Sequence, residues 1–347
     1  MTYQSPRLAR NNFHLLRIAF ALIVCMYHAF ELSHYPELSW IPVYLSPDVA
    51  VNSFFIISGF LITMSFERSS SVREFLKRRF LRIYPAYLLV VLGSAVAFSL
   101  ITREPAAKYF SVAWIKYILA NLCLLNFVQP TLPGVFTENV FPTVNGSLWT
   151  IKVEAFLYLT VPALSAIAAR GSVKATTLVA YICTALLTTL LGVVPLAKES
   201  WICHEISREL TSPLSYFLAG AVIQRHLGVF EQFLKPILAA GIVCLALNSF
   251  YPVPVLAPIA LAAVIIFAAL FCYVGNFEKL GDFSYGVYIL HFPIAQVLLT
   301  RPWVQGHPWA YLASVMVTAI MGAFFLWHLV EKHFISKKMP HRSFKDV

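Results

Sequence analysis

Apolar residues in this chain are gathered into long blocks, each running about 17–25 residues before a short polar break. At roughly 1.5 Å of rise per residue, such a block makes a helix long enough to cross the hydrocarbon core of a bilayer. Ten blocks fit, at roughly 12–34, 49–66, 80–101, 147–169, 174–195, 210–226, 234–250, 254–274, 282–300 and 309–331. The pattern predicts an all-α, polytopic transmembrane helical bundle of about ten spans. The first block opens near Phe13 and runs past His28 without an A-x-A-like cleavage site, so it is expected to stay in the protein as a span. No stretch beside the bundle offers room for a soluble domain, and residues 1–347 are expected to form one integral-membrane domain.

Residues 111–128, SVAWIKYILANLCLLNFV, are apolar enough to be an eleventh span yet carry Lys116, Asn121 and Asn126. Counting them as a span would flip every later segment and put the loop with Arg170 and Lys174 outside, against the bias that keeps Lys and Arg in the cytoplasm. They are therefore expected to form a re-entrant or interfacial helix within a long outer loop, 102–146. With ten spans and a cytoplasmic N-terminus, about 19 of the 26 Lys and Arg fall on the cytoplasmic side. These include Arg7, Arg10, the 68–82 cluster, Lys337, Lys338, Arg342 and Lys345, and both termini are then cytoplasmic.

Composition excludes a water-soluble protein, because 59% of residues are hydrophobic and only 12% are charged. The formal net charge of +10 would suit nucleic acid, but the basic residues sit in short clusters between apolar blocks, not on an aromatic-interleaved polar domain. Membrane topology explains them, and no nucleic-acid partner is expected. The stretch 67–82, ERSSSVREFLKRRFLR, reads as a connection with six basic residues at a membrane face. It fits a positive-inside anchor and equally a site for anionic lipid or a phosphate-bearing cofactor. The other long connection ends in QPTLPGVFTENVFPTVNGS, whose length and turn residues mark it as a loop with a task of its own. Six scattered cysteines lack C-x-x-C or metal-ligand spacing, so neither a metal site nor a structural disulfide is expected.

Ionisable residues inside hydrocarbon cost several kcal/mol unless paired or hydrated, which makes them candidates for function. Here they are Arg17, His28, Lys152, Glu154, His291 and, near the last cytoplasmic end, His328 and Glu331. Arg17 and His28 lie eleven residues apart, on one helix face but about 16 Å apart along the axis. They mark two depths of one path. Glu154 and His28 lie about equally deep from the outer ends of their spans, which suits a carboxylate that orients an imidazole base. Lys152 is on another face from Glu154. His291 fits an interhelical hydrogen bond as well as a place on a substrate path, and Ser58, beside Gly59, fits close helix packing better than a nucleophile elbow.

These residues resemble the motifs of acyltransferase family 3, membrane-bound O-acyltransferases that modify cell-surface glycans. The family's R-x10-H corresponds to Arg17 and His28, and its F-F-x-x-S-G-F-L-I to Phe54, Phe55, Ser58, Gly59, Phe60, Leu61 and Ile62. Its R-x-x-R is similar to Arg79 and Arg82, and its S-L-W-x-x-x-x-E-x-x-x-Y to Ser147, Leu148, Trp149, Glu154 and Tyr158. A looser S-Y-x-x-Y-x-x-H-x-P covers Ser284, Tyr285, Tyr288, His291 and Pro293. Asn52 stands where many members carry Asp. The resemblance implies transfer of an acyl group, usually acetyl from cytoplasmic acetyl-CoA, to a hydroxyl of an outward-facing polysaccharide or lipid-linked sugar. It places the enzyme in the bacterial cytoplasmic membrane, among membrane lipids, and the bundle itself completes the transfer. His28 and Glu154 would be catalytic, and Arg17, Arg79 and Arg82 would hold the donor's phosphates. Asn52, Ser58, Trp149, Tyr288 and His291 would line the path or support it. Direct transfer and an acyl-His28 intermediate both fit, and the competing class is a transporter or flippase of an acyl or glycan-lipid substrate.

Overall fold

Each of the ten apolar blocks contains a helix in the computed structural model, which describes residues 5–194, 200–250, 253–275 and 281–335. The principal helices are α1 (Phe13–Ser33), α2 (Pro47–Glu67), α3 (Val72–Ala97), α4 (Val112–Leu122), α5 (Trp149–Ile167) and α6 (Val173–Val193). They continue as α7 (Ser212–Arg225), α8 (Leu234–Phe250), α9 (Ala257–Phe271), α10 (Ser284–Leu299) and α11 (Pro308–Leu326). Among the described residues there is no strand. Among the described residues six stretches are long and apolar enough to cross a membrane: Phe13–Ser33, Pro47–Glu67, Val72–Leu100, Gly146–Ile167, Val173–Gly192 and Pro308–Ile335. α8 to α10 have 17, 15 and 16 residues, which at about 1.5 Å each fall somewhat short of the roughly 30 Å hydrocarbon core, whereas α7 continues a helix that starts at Trp201 and passes through a π-helical turn at Ser207–Thr211.

Two expectations sharpen. Within 111–128 only the 11 residues of α4 are helical, about 16 Å of rise, too short to cross alone; just beyond, Leu124 turns the chain at φ 61°. The basic stretch 67–82, read as a connection, is instead helical from Val72 onward, and only Arg68 to Ser71 link α2 to α3. Ser71 Oγ accepts from the Glu74 N–H at 3.2 Å, while the Glu74 carboxylate accepts from the Ser70 N–H at 3.0 Å and the Ser70 hydroxyl. That near capping box starts the helix, and Glu, Leu, Lys and Arg, all good helix formers, carry it on.

The fold comprises two compact units. The first is Met1–Val24, Pro42–Phe75 and Trp149–Lys279; the second is Cys25–Ile41, Leu76–Leu148 and Leu280–Val347. In the first unit α2 and α7 meet backbone to backbone. A Cβ on Gly59 would lie 1.8 Å from the Phe217 carbonyl oxygen, and one on Gly220 would lie 2.1 Å from that of Ile56. Only glycine permits this approach, the usual device of helices that cannot rely on a hydrophobic difference from lipid. Asn12, 3% exposed, closes the end of α9: its amide donates to the Ala268 and Cys272 carbonyls, and its side-chain oxygen accepts from the Val274 N–H.

In the second unit a charged tie joins three helices. Arg82 on α3 donates to Asp282, ahead of α10, at 2.6 Å and to Glu331, past α11, at 2.7 Å. The Glu331 side chain is 1% exposed, so its charge is balanced inside the protein. Trp327 and Tyr285 flank the guanidinium at 5.5 and 6.0 Å. Gly281, at φ +90°, lets the chain turn against Trp327, whose Nε1 would lie 2.1 Å from a Cβ there.

The segment before α5 is bound to α10. Gln296 donates to the carbonyls of Phe141 (2.6 Å) and Thr143 (2.8 Å) and accepts from Asn139 at 2.7 Å. Pro293 leaves the Ile289 carbonyl without its helical donor, and Asn145 supplies one at 2.8 Å.

Gly59→Val should force α2 and α7 apart and destabilise the detergent-solubilised protein by about 2 kcal/mol. A lower thermal midpoint is expected, and an unchanged one would contradict the close contact. Arg82→Ala should cost about 3 kcal/mol by removing the cation bonded to the carboxylates of both Asp282 and Glu331. Adding Asp282→Asn and Glu331→Gln should restore part of that loss, measured by the same thermal unfolding.

Candidate active site

Helix α1 carries His28 and α10 carries His291, and their rings meet in the second unit. Nδ1 of His28 and Nε2 of His291 are 2.9 Å apart, with ring centroids 5.0 Å apart and planes 22° from parallel. Phe292 packs its edge against His28 at 5.3 Å, Tyr27 approaches it at 5.7 Å, and Tyr288 stands against His291 at 5.9 Å. The His28 side chain keeps 16% of its surface exposed, whereas His291 is fully buried. His291 also bonds through Nδ1 to the Val287 carbonyl, one turn back, at 3.1 Å. On the other side of His28, Nε2 lies 3.9 Å from Oε2 of Glu31, the residue one turn further along α1.

The chain before α5 holds this group from behind. Ser147 donates to the Tyr288 carbonyl at 3.1 Å and to Asn145 Oδ1 at 2.7 Å. A Cβ on Gly146 would lie 2.7 Å from the Phe292 ring, so the glycine lets the segment press on the ring that in turn contacts His28. The sequence motif S-L-W therefore begins with a serine whose hydroxyl serves α10.

Glu154 lies in the first unit, on α5. It accepts from the Tyr158 hydroxyl at 2.5 Å and from Ser58 of α2 at 3.4 Å. The glutamate and tyrosine of the S-L-W-x-x-x-x-E-x-x-x-Y motif are thus one turn apart and bonded to each other, and Ser58 adds a hydroxyl while its neighbour Gly59 makes the close contact with α7. Lys152 pairs with Glu209 at 2.7 Å, and Arg208 lies over the Trp149 ring at 5.5 Å. Asn52 and Arg17 are half-buried on α2 and α1. The expected pair of His28 and Glu154 takes its members from different units, and the partners described above are those each has within its own.

Arg79 is half-buried on α3, one turn before Arg82. Both were expected to hold donor phosphates; Arg82 is bonded to Asp282 and Glu331. Sequence reasoning missed Glu31 and Asp282. Glu31 was detectable, since a carboxylate three residues from a histidine shares its helix face. Asp282 was not, because nothing along the chain links it to Arg82. Among the described residues no group of three or more His, Cys, Asp and Glu is placed to hold a metal ion.

The arrangement is a half-buried imidazole, fixed on one edge by a second imidazole and faced on the other by a carboxylate. It can accept and return a proton, or attack an electrophile. Comparisons with known proteins agree with that chemistry. A family profile described as "Acyltransferase domain" matches residues 10–328. An "O-acetyl transferase" of Shigella phage Sf6 is 25% identical over 337 residues, covering 96% of this chain and 98% of the relative. "Nodulation protein 10" of Rhizobium leguminosarum bv. viciae is 28% identical over 362 residues, covering 93% and 92%. "Acyltransferase MdmB" of Streptomyces mycarofaciens is 35% identical over 115 residues, 33% of this chain and 27% of the relative. No solved structure matches the chain. The match spans nearly all of the helical bundle and both histidines, and the chain belongs to acyltransferase family 3, as a membrane O-acyltransferase.

Proposed function

We propose that this enzyme moves an acetyl group from cytoplasmic acetyl-CoA to a hydroxyl of an extracytoplasmic cell-envelope polysaccharide or glycolipid. It would do so as a single integral-membrane domain of the bacterial cytoplasmic membrane, with both termini in the cytoplasm. The observation that carries the reading is the His28 ring, held by His291, Phe292 and Tyr27 yet still partly open. An imidazole so oriented takes the proton of an attacking hydroxyl without first having to be positioned. The likeness to a relative named O-acetyl transferase supports acetyl as the group moved.

The donor is a thioester carrying phosphates, and arginine suits phosphate by its planar fork of donors. Arg79 and Arg17 take that role here. Arg82 positions α3 through its two carboxylates, and so presents Arg79. Glu154, bonded to Tyr158 and Ser58, is the second catalytic group, and Asn52, Trp149 and Tyr288 belong to the acceptor's path or its support.

Purified protein in lipid vesicles, given radiolabelled acetyl-CoA and a polysaccharide acceptor, should label the acceptor. Transport of the acceptor without acetylation would favour a flippase instead. His28→Ala should lower transfer about a thousandfold, and Glu154→Gln should lower it severely. Arg79→Gln should raise the KM for acetyl-CoA about tenfold, at a cost of roughly 1.4 kcal/mol in donor binding. Arg82→Gln should lower the thermal midpoint through the loss of its two carboxylate bonds. Equal KM effects from both arginines would place Arg82 with the donor.

A further inference from the structure

The hydrogen bonds of His291 decide which nitrogen of His28 does the chemistry. A carbonyl oxygen only accepts, so the Nδ1 of His291 that meets the Val287 carbonyl at 3.1 Å must carry a hydrogen. The ring is fully buried, and its hydrogen-bond partners are that carbonyl and the other imidazole. A second proton there would be a buried charge, and among the described residues no opposite charge is bonded to the ring, so His291 is neutral and its Nε2 bears a lone pair. That lone pair faces Nδ1 of His28 at 2.9 Å, which must therefore be the N–H that donates. In neutral His28 the remaining nitrogen, Nε2, holds the lone pair.

Building on the acyl-transfer reading above, we propose that His291 is a positioning residue that selects the Nδ1–H tautomer of His28, making Nε2 the atom that takes the acceptor's proton. In that step the acceptor O–H gives its proton to Nε2 as its oxygen bonds to the acyl carbon. The carbon–sulfur bond of the thioester then breaks, and the leaving sulfur takes the proton back from Nε2. Through the cycle Nδ1–H of His28 stays bonded to His291, so the ring does not turn. Glu31, 3.9 Å from Nε2, faces the edge on which the imidazolium gains its hydrogen. In this arrangement a histidine on a second helix does the orienting that a carboxylate does in many hydrolases.

Glutamine and asparagine at position 291 separate this role from mere packing. The Gln side chain can put an oxygen where Nε2 of His291 lies and accept from His28, whereas Asn reaches only to the Nδ1 position and leaves His28 without an acceptor. His291→Gln should keep kcat within about threefold of the wild type. His291→Asn should lower kcat about a hundredfold, with the KM for acetyl-CoA unchanged. Donor affinity and thermal midpoint, measured on each variant, report whether the fold is intact. Equal kcat for the two variants would overturn the assignment, as would a loss carried by KM. His28→Ala serves as the control: its full activity would sink the acyl-transfer reading itself, whereas a dead His28→Ala beside indistinguishable Gln and Asn variants would sink only the role of His291.

Discussion

Within a bilayer a polar group finds no water, so each one must be matched by another part of the protein, and this structure is organised around that requirement. Arg82 illustrates it for charge: two carboxylates converge on one guanidinium and bring three helices to the same point. Helix α10 illustrates it for the backbone. Its carbonyls at Val287, Tyr288 and Ile289 accept from His291, Ser147 and Asn145 respectively. Pro293 creates one of these needs by removing a helical donor, and Asn145 meets it.

The same three bonds prepare the candidate active site. By donating to Val287, His291 has its ring turned so that Nε2 points at His28. Ser147 and Asn145 hold the adjacent segment close enough for Gly146 to touch Phe292, and Phe292 closes one side of the His28 ring. Side chains fixed in this way lose their rotational freedom on folding, before substrate arrives, which is the condition for efficient proton transfer. A motif that reads along the sequence as a list of separate residues is thus, in space, one hydrogen-bonded support for an imidazole.

The first unit applies the rule differently. Gly59 and Gly220 remove side chains so that two helix backbones meet, and the serine next to Gly59 turns its hydroxyl toward Glu154. Glu154 has the hydroxyl of Tyr158 as a short hydrogen-bond donor, an arrangement that holds its carboxyl group in place. Lys152, two residues away, is taken up by Glu209, so the two opposite charges on α5 do not compete.

Much of this was legible along the chain. Block length is set by bilayer thickness, so the helices in all ten blocks and the candidate ionisable residues followed from hydropathy and helix rise, whereas residues 111–128 were set apart from the spans only by the Lys and Arg bias. The family followed from the order and spacing of the motifs. Partnership did not follow. Spacing along a helix gives the depth of a residue and the face it shares with its neighbours, but not which other helix that face meets. Arg82 therefore read along the chain like Arg79, and only folding reveals the carboxylates 200 and 249 positions further on to which it is bonded. Nothing along the chain joins His28 to the imidazole, 263 positions away, that its ring meets. Local spacing determined the helices and named the reactive groups; tertiary contact, made between residues far apart in the chain, decided what each of those groups is bonded to.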